Sequence, residues 1–185
     1  MGTVEIIAAV LGVINVVLVV RRSTWNYPFG IAMVALYFFV FWNAKLYSDA
    51  LLQVFFFAIQ LYGWWAWAHA RHVDHGVAVR WMTPRERLPW LGATAVAILF
   101  WGTGMARFTD AAAPFVDATT AGLSIAAQCL QSLRRVESWV LWIVVDIIAI
   151  GLFTWRDLLV TAALYGLFLV LSVVGLVEWR RKVAA

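Results

Sequence analysis

Seven apolar stretches, at 3–20, 28–43, 48–70, 89–107, 116–133, 139–154 and 156–179, leave little polar sequence to face water. Each is close to the length that crosses about 30 Å of hydrocarbon at about 1.5 Å per helical residue. Apolar residues make up 64% of the chain and charged residues only 13%, against about 25% charged in an ordinary soluble domain. That imbalance excludes a soluble enzyme, a disordered chain and a disulfide scaffold. The fold class it predicts is an all-α integral membrane protein of seven transmembrane helices, forming a single transmembrane domain over 1–185.

The connections between the spans carry the orientation. Arg21, Arg22, Arg71, Arg80, Arg85, Arg87, Arg134, Arg135, Arg180, Arg181 and Lys182 fall on one side, and only Lys45, Arg107 and Arg156 on the other. Basic residues collect on the cytoplasmic side of a membrane. The reading is therefore a multi-pass protein with its N-terminus outside and its C-terminus in the cytoplasm. The net charge of +4 reports this asymmetry, and no nucleic-acid partner is implied. Glu5 takes the place of a basic n-region, so the N-terminus is not read as a cleavable signal peptide. The longest polar stretch, 71–88, holds Pro84 as a breaker, with Pro89 just beyond it, and is too short for a domain. The lone Cys129 lies in an apolar run and reads as a small buried hydrophobe.

A repeat underlies the spans. Asn15, Arg21-Arg22 and Trp25 match Gln128, Arg134-Arg135 and Trp139 at offsets of 113 and, for the tryptophans, 114. Gly63 and Trp67 match Gly175 and Trp179 at 112. Two triplets, 3–70 and 116–179, are joined by the linker and connecting helix of 71–115. One extra span between them gives both triplets the same direction, a parallel 3+1+3 arrangement of the kind transporters use around a central pathway.

Polarity inside a span is costly, about 2.5–3.5 kcal/mol for a charge at mid-bilayer on insertion scales. Asp146 is the one acidic residue deep in a span. Trp139, Trp142 and Asp146 stand at i, i+3 and i+7, on one helix face. Two indoles and a carboxylate suit a flat cation, with about 0.5–2 kcal/mol per ring from cation–π attraction. The alternative is an interhelical hydrogen bond from a protonated Asp146, with the tryptophans in the interface belt. Gln53 and Gln60 share a face of the third span with Trp64 a turn further on. Thr120, Ser124 and Gln128, continued by Gln131, form a stripe in the fifth, and Asn43 ends the second. Each amide serves equally as helix–helix glue or as a ligand contact, and together they point to a hydrogen-bonding pocket. Trp81, Trp90 and Trp155 read as interface anchors. His69, His72 and His75 fan around a helix beside Asp74 and read as a solvated tail rather than a metal site. No phosphate-cradling G-x-x-x-x-G-K-[ST] motif and no nucleophile–base pair occurs, so no enzyme, catalytic residue, cofactor or metal is assigned.

The segments 25–30 (WNYPFG), 46–57 (LYSDALLQVFFF), 60–65 (QLYGWW) and 137–146 (ESWVLWIVVD) resemble the Pnu family of bacterial vitamin transporters, above all its nicotinamide riboside branch. The last segment carries that family's W-x-x-W-x-x-x-N/D motif, and the resemblance runs from about residue 8 to residue 179. It implies a 3+1+3 fold like that of the SWEET sugar transporters. It also implies facilitated diffusion across the bacterial inner membrane, a homotrimer, and trapping of the vitamin by a cytoplasmic kinase. The motif makes Trp139, Trp142 and Asp146 substrate-binding candidates, and the third-span match adds Gln53 and Gln60; Asn43, Gln128 and Trp64 complete the set. Asp146 stands where some nicotinamide riboside carriers have Asn. Thiamine, another flat cation, therefore remains an alternative substrate. A membrane receptor or assembly subunit that binds without transporting is the competing class.

Overall fold

The computed structural model describes residues 3–43, 47–73, 77–108, 113–155 and 159–183. Seven helices fill them: α1 (Thr3–Val20), α2 (Asn26–Asn43), α3 (Tyr47–Val73), α4 (Pro84–Phe108), α5 (Pro114–Ser132), α6 (Glu137–Trp155) and α7 (Leu159–Val183). Lys45, Asp74, His75 and Arg156 fall outside the described residues.

By length and apolarity alone, α1, α4, α6, α7 and the 50–70 stretch of α3 can each cross a membrane. The helices α2 and α5 fall outside that set: α2 begins and ends on asparagine, and α5 carries Asp117, two threonines, two serines and two glutamines. Gln128 and Gln131 of α5 face the interior, and α2 begins on a buried Asn26. Outward-facing side chains such as Phe100, Val160 and Val170 are large, apolar and exposed, as a surface covered by hydrocarbon requires.

The packing forms a ring. α1 contacts α2 and α7, α3 contacts α2 and α5, and α6 contacts α5 and α7, whereas α4 touches α5 alone. α4 begins at Pro84, earlier than the 89 read from hydropathy, and the reason is local. Thr83 and Glu86 form a capping box: the Thr83 amide donates to Glu86 Oε2 at 2.8 Å, and the Glu86 amide to Thr83 Oγ1 at 3.3 Å. Pro84 then occupies the first helical position, where its missing N–H costs nothing. Pro89 lies within the helix. Neither proline acts as a breaker here.

The ends of α1 and α5 share one geometry. Arg22 and Arg134 both adopt a left-handed conformation, at φ 55° and 62°. The Arg22 amide donates to the Val19 carbonyl and the Ser23 amide to Leu18; the Arg134 amide donates to Gln131 and the Arg135 amide to Leu130. Each is a Schellman closure built on arginine, a residue that takes this conformation at a cost of roughly 1–2 kcal/mol. The shared offset is 112, since Arg22 matches Arg134. Tyr27 meets Trp67 edge-on at 5.4 Å, and Trp139 meets Trp179 edge-on at 5.5 Å, again 112 apart. At an offset of 112 Trp139 falls on Tyr27 rather than on the exposed Trp25, and Gln128 on Val16 rather than on Asn15.

These contacts build the core. Val19, Tyr27, Trp67, Val77, Val79, Val136, Trp139 and Trp179 form one buried cluster at the arginine-rich end of the ring. Trp81 packs against it and is therefore a core residue rather than an interface anchor. Gly63 and Gly175 allow the approach. A Cβ on Gly63 would lie 2.7 Å from the Tyr27 ring, and one on Gly175 would lie 2.6 Å from the Trp139 ring. Small residues at such crossings let helices pack closely in lipid, where the hydrophobic effect gives little help.

Candidate functional site

Beyond this core the ring encloses a cavity of about 570 Å³, lined by α1, α2, α3, α5, α6 and α7. It begins at Val19, Gln131 and Trp139. It runs past Asn15, Gln60, Gln128, Trp142 and Asp146 to Glu5 in the first turn of α1 and Phe41 in the last turn of α2. Its volume lies within the range of about 300–1,000 Å³ usual for small-molecule sites.

Six of the eight residues singled out in the sequence come together here: Trp139, Trp142, Asp146, Gln53, Gln60 and Gln128. Asp146 is buried, and the Ser172 hydroxyl donates to its Oδ2 at 2.9 Å. One carboxylate oxygen is thus fixed from α7. The Trp142 indole N–H donates to Gln131 Oε1 at 2.8 Å, so α5 sets the plane of that ring. Trp139 is 1% exposed, pinned between Gly175 and Trp179. Gln60 and Asn15 converge on Gly30, where a Cβ would clash with both amides.

The other two residues face away. Trp64 is 40% exposed and Asn43, the last residue of α2, is also exposed. The inward face of α3 runs through Gln53, Phe56, Gln60, Gly63 and Trp67, a spacing of alternate three and four residues. Trp64 follows Gly63 by one position and is turned about 100° from it. The α5 stripe also shortens. Gln128 and Gln131 line the cavity but Thr120 and Ser124 do not, and the Thr120 hydroxyl is used on the Val116 carbonyl at 2.9 Å. His69 stacks on Trp65 at 5.7 Å, outside the cavity.

Several lining residues escaped the sequence reading. Glu5, Tyr37, Tyr165 and Ser172 all face the cavity. Tyr37 stacks on Phe41 at 5.7 Å, and Tyr165 on Phe153 at 5.3 Å. A signal existed for Glu5, the only charge in α1, yet a Glu in a first turn is also what the helix dipole favours. Ser172 sits in an otherwise apolar run and gave no signal. The lining among the described residues holds two carboxylates, Glu5 and Asp146, and no Lys, Arg or His.

Comparison with known proteins places this arrangement. The model of the family described as "Nicotinamide mononucleotide transporter" matches residues 2–181. The chain is 32% identical to the nicotinamide riboside transporter PnuC of Neisseria mucosa over 195 residues, covering 96% of this chain and 72% of that protein. It is 29% identical to PnuC of Escherichia coli over 175 residues, with coverage of 81% and 73%. The riboflavin/roseoflavin transporter RibM of Streptomyces davaonensis is 28% identical over 182 residues, with coverage of 95% and 83%. A crystal structure of the vitamin B3 transporter PnuC superposes with a TM-score of 0.79 at 30% identity, covering 98% of this chain and 82% of that one. An all-helical ring around a central cavity, matched along nearly its whole length, makes this chain an integral membrane transporter, not an enzyme, and a member of the nicotinamide mononucleotide transporter (PnuC) family.

Proposed function

We propose that this protein carries nicotinamide riboside into the bacterial cytoplasm by facilitated diffusion. The observation that carries the reading is the charge of the cavity: two carboxylates, two indoles and no basic side chain among the described lining residues. Nicotinamide riboside joins a flat cationic ring to a ribose. Trp142 offers a stacking face, the edge of Trp139 closes the inner end, Asp146 gives a counter-charge, and Gln53, Gln60 and Gln128 are partners for hydroxyls. The same charge opposes a nucleotide, whose phosphate would find only carboxylates. The PnuC names of the relatives from Escherichia coli and Neisseria mucosa support the same substrate.

The direction of transport follows from trapping: once phosphorylated by a cytoplasmic kinase, the product cannot return through an anionic cavity. The arginine-rich end of the ring faces the cytoplasm in this reading, by the positive-inside rule. The parallel 3+1+3 architecture is part of the proposal. Exchanging α1, α2 and α3 with α5, α6 and α7 maps the ring of contacts onto itself. The recurrence of Arg22, Tyr27, Gly63 and Trp67 at 112 supports it. α4, held by α5 alone with Leu91, Val96, Leu99 and Phe100 exposed, is where lipid or a neighbouring copy of a homotrimer would pack.

Purified protein in liposomes loaded with nicotinamide riboside kinase and ATP tests this directly. Accumulation of phosphorylated product is expected, with none in protein-free vesicles. Binding without accumulation would identify a receptor instead. Competition by thiamine or riboflavin stronger than by unlabelled nicotinamide riboside would reassign the substrate.

A further inference from the structure

The buried cluster at the arginine-rich end of the ring does more than close the cavity, because its hydrogen bonds run crosswise. Trp67, on α3, donates its indole N–H to the Ser132 carbonyl at the end of α5, at 3.2 Å. Trp179, on α7, donates to the Val19 carbonyl at the end of α1, at 3.3 Å. Each triplet of helices thus caps a last-turn carbonyl of the other: that of Ser132 at the end of α5, and that of Val19, which also accepts the Arg22 amide. The two indoles meet at 5.9 Å between ring centres. Both tryptophans are fully buried.

The segment between α3 and α4 completes the closure. Val77 and Val79 insert into the cluster with Trp81 against it, while Arg80 points outward, an alternation of extended chain. The strap is tied to the second triplet by several bonds. The Arg80 amide donates to the Arg134 carbonyl and the Val136 amide to the Arg80 carbonyl, both at 3.1 Å. The Met82 amide donates to the Glu137 carboxylate at 2.9 Å, and Arg87 pairs with that carboxylate at 3.0 Å. On the side of the first triplet, the Arg22 guanidinium donates to the Val77 carbonyl at 2.9 Å.

The geometry points to Trp67, Trp179 and Arg22 as the residues of a cytoplasmic gate, a latch whose crosswise hydrogen bonds must break before the cavity opens inward. The strap moves with α5 and α6, to which it is bound on several atoms, and parts from α1 at the bond between Arg22 and Val77. This rests on the carrier reading and on its orientation.

The test is sided labelling of a cavity residue. In a Cys129→Ala background, Val16→Cys places a thiol in the cavity wall directly beside the latch. An impermeant maleimide is applied to right-side-out and to inside-out vesicles. With the latch intact, labelling from outside is expected to exceed labelling from the cytoplasmic side. Trp67→Phe and Trp179→Phe keep a ring and delete the N–H, and each is expected to raise the cytoplasmic rate about fivefold, as for loss of one neutral hydrogen bond. Should either fail to fold, Arg22→Gln leaves the aromatic cluster intact and is expected to act in the same direction. Unchanged cytoplasmic labelling in the folded variants would overturn the latch. Labelling of the unaltered latch from the cytoplasmic side alone would instead overturn the orientation.

Discussion

Replacing Asp146 by Asn is the sharpest test of what the cavity recognises, because it removes charge while preserving size. Ser172 occupies Oδ2 of the carboxylate at 2.9 Å, and the amide oxygen of Asn can keep that bond. The remaining oxygen is the one that can face a ligand. A cation at about 4 Å from a carboxylate gains roughly 4 kcal/mol at an effective dielectric constant near 20. Desolvation of both groups removes a good part of that, leaving on the order of 2–3 kcal/mol, or about 30- to 150-fold in Kd. Nicotinamide riboside should therefore bind Asp146→Asn about 30- to 150-fold more weakly. Its reduced form, the same nucleoside with an uncharged ring, should lose less than about fivefold. Quenching of tryptophan fluorescence in detergent, titrated with both ligands, gives the two constants on one preparation. Equal losses for the two forms would refute the counter-charge role. So would unaltered binding of the cation.

Other outcomes follow from the same geometry. Nicotinamide mononucleotide should not compete at concentrations that saturate the riboside, since a phosphate near Asp146 meets repulsion of roughly 3 kcal/mol per charge at about 5 Å; competition in the same titration would refute an anionic cavity. Gly175→Ala should lower thermal stability by about 1–3 kcal/mol, because the new Cβ would lie 2.6 Å from a Trp139 ring that is 1% exposed and has nowhere to go; an unchanged melting curve would contradict that packing. Glu137→Gln removes the charge holding the Met82 amide and Arg87, and should cost about 1–3 kcal/mol. Glu178→Gln, by contrast, breaks only the exposed pair with Arg181 and should change the same melting curve by less than about 0.5 kcal/mol.

Much of the interior was legible because lipid makes polarity expensive. Asp146, Gln53, Gln60 and Gln128 stand out in apolar runs for one physical reason, and all four line the cavity. Rotation about a helix axis was harder to read. Trp64 shares a nominal face with Gln60, yet the face that packs advances through Gly63 and Trp67. The strap is legible too. Val77, Val79 and Trp81 alternate with Ala78 and Arg80, the period of extended chain, inside a stretch whose average polarity suggested only solvent. The di-arginines also close their helices. Their left-handed conformation at Arg22 and Arg134 was hidden because glycine, the usual residue there, is absent. Aligned on the arginine pairs the offset is 113, whereas the two left-handed arginines stand 112 apart. Ser172 could not be found, since its partner Asp146 lies 26 residues away on another helix.

The placement of Trp139 joins recognition to gating without a long chain of intermediates. Its ring lines the inner end of the cavity, and the same ring meets Trp179 edge-on at 5.5 Å. Trp179 in turn caps the Val19 carbonyl across the interface between the triplets. A ligand shifts a conformational equilibrium only by the difference in its affinity for the two states. A vitamin ring reaching the edge of Trp139 at the inner end of the cavity would sit one aromatic contact away from a bond that differs between those states. The 112-residue counterpart of Trp139 is Tyr27, set against Trp67 at 5.4 Å, yet Tyr27 is not among the residues lining the cavity. The two aromatic pairs recur at 112, but the ligand reaches only the second of them. In a carrier of this design, occupancy acts on the latch through the second triplet, and the first triplet follows through the pairing of Trp67 with Trp179.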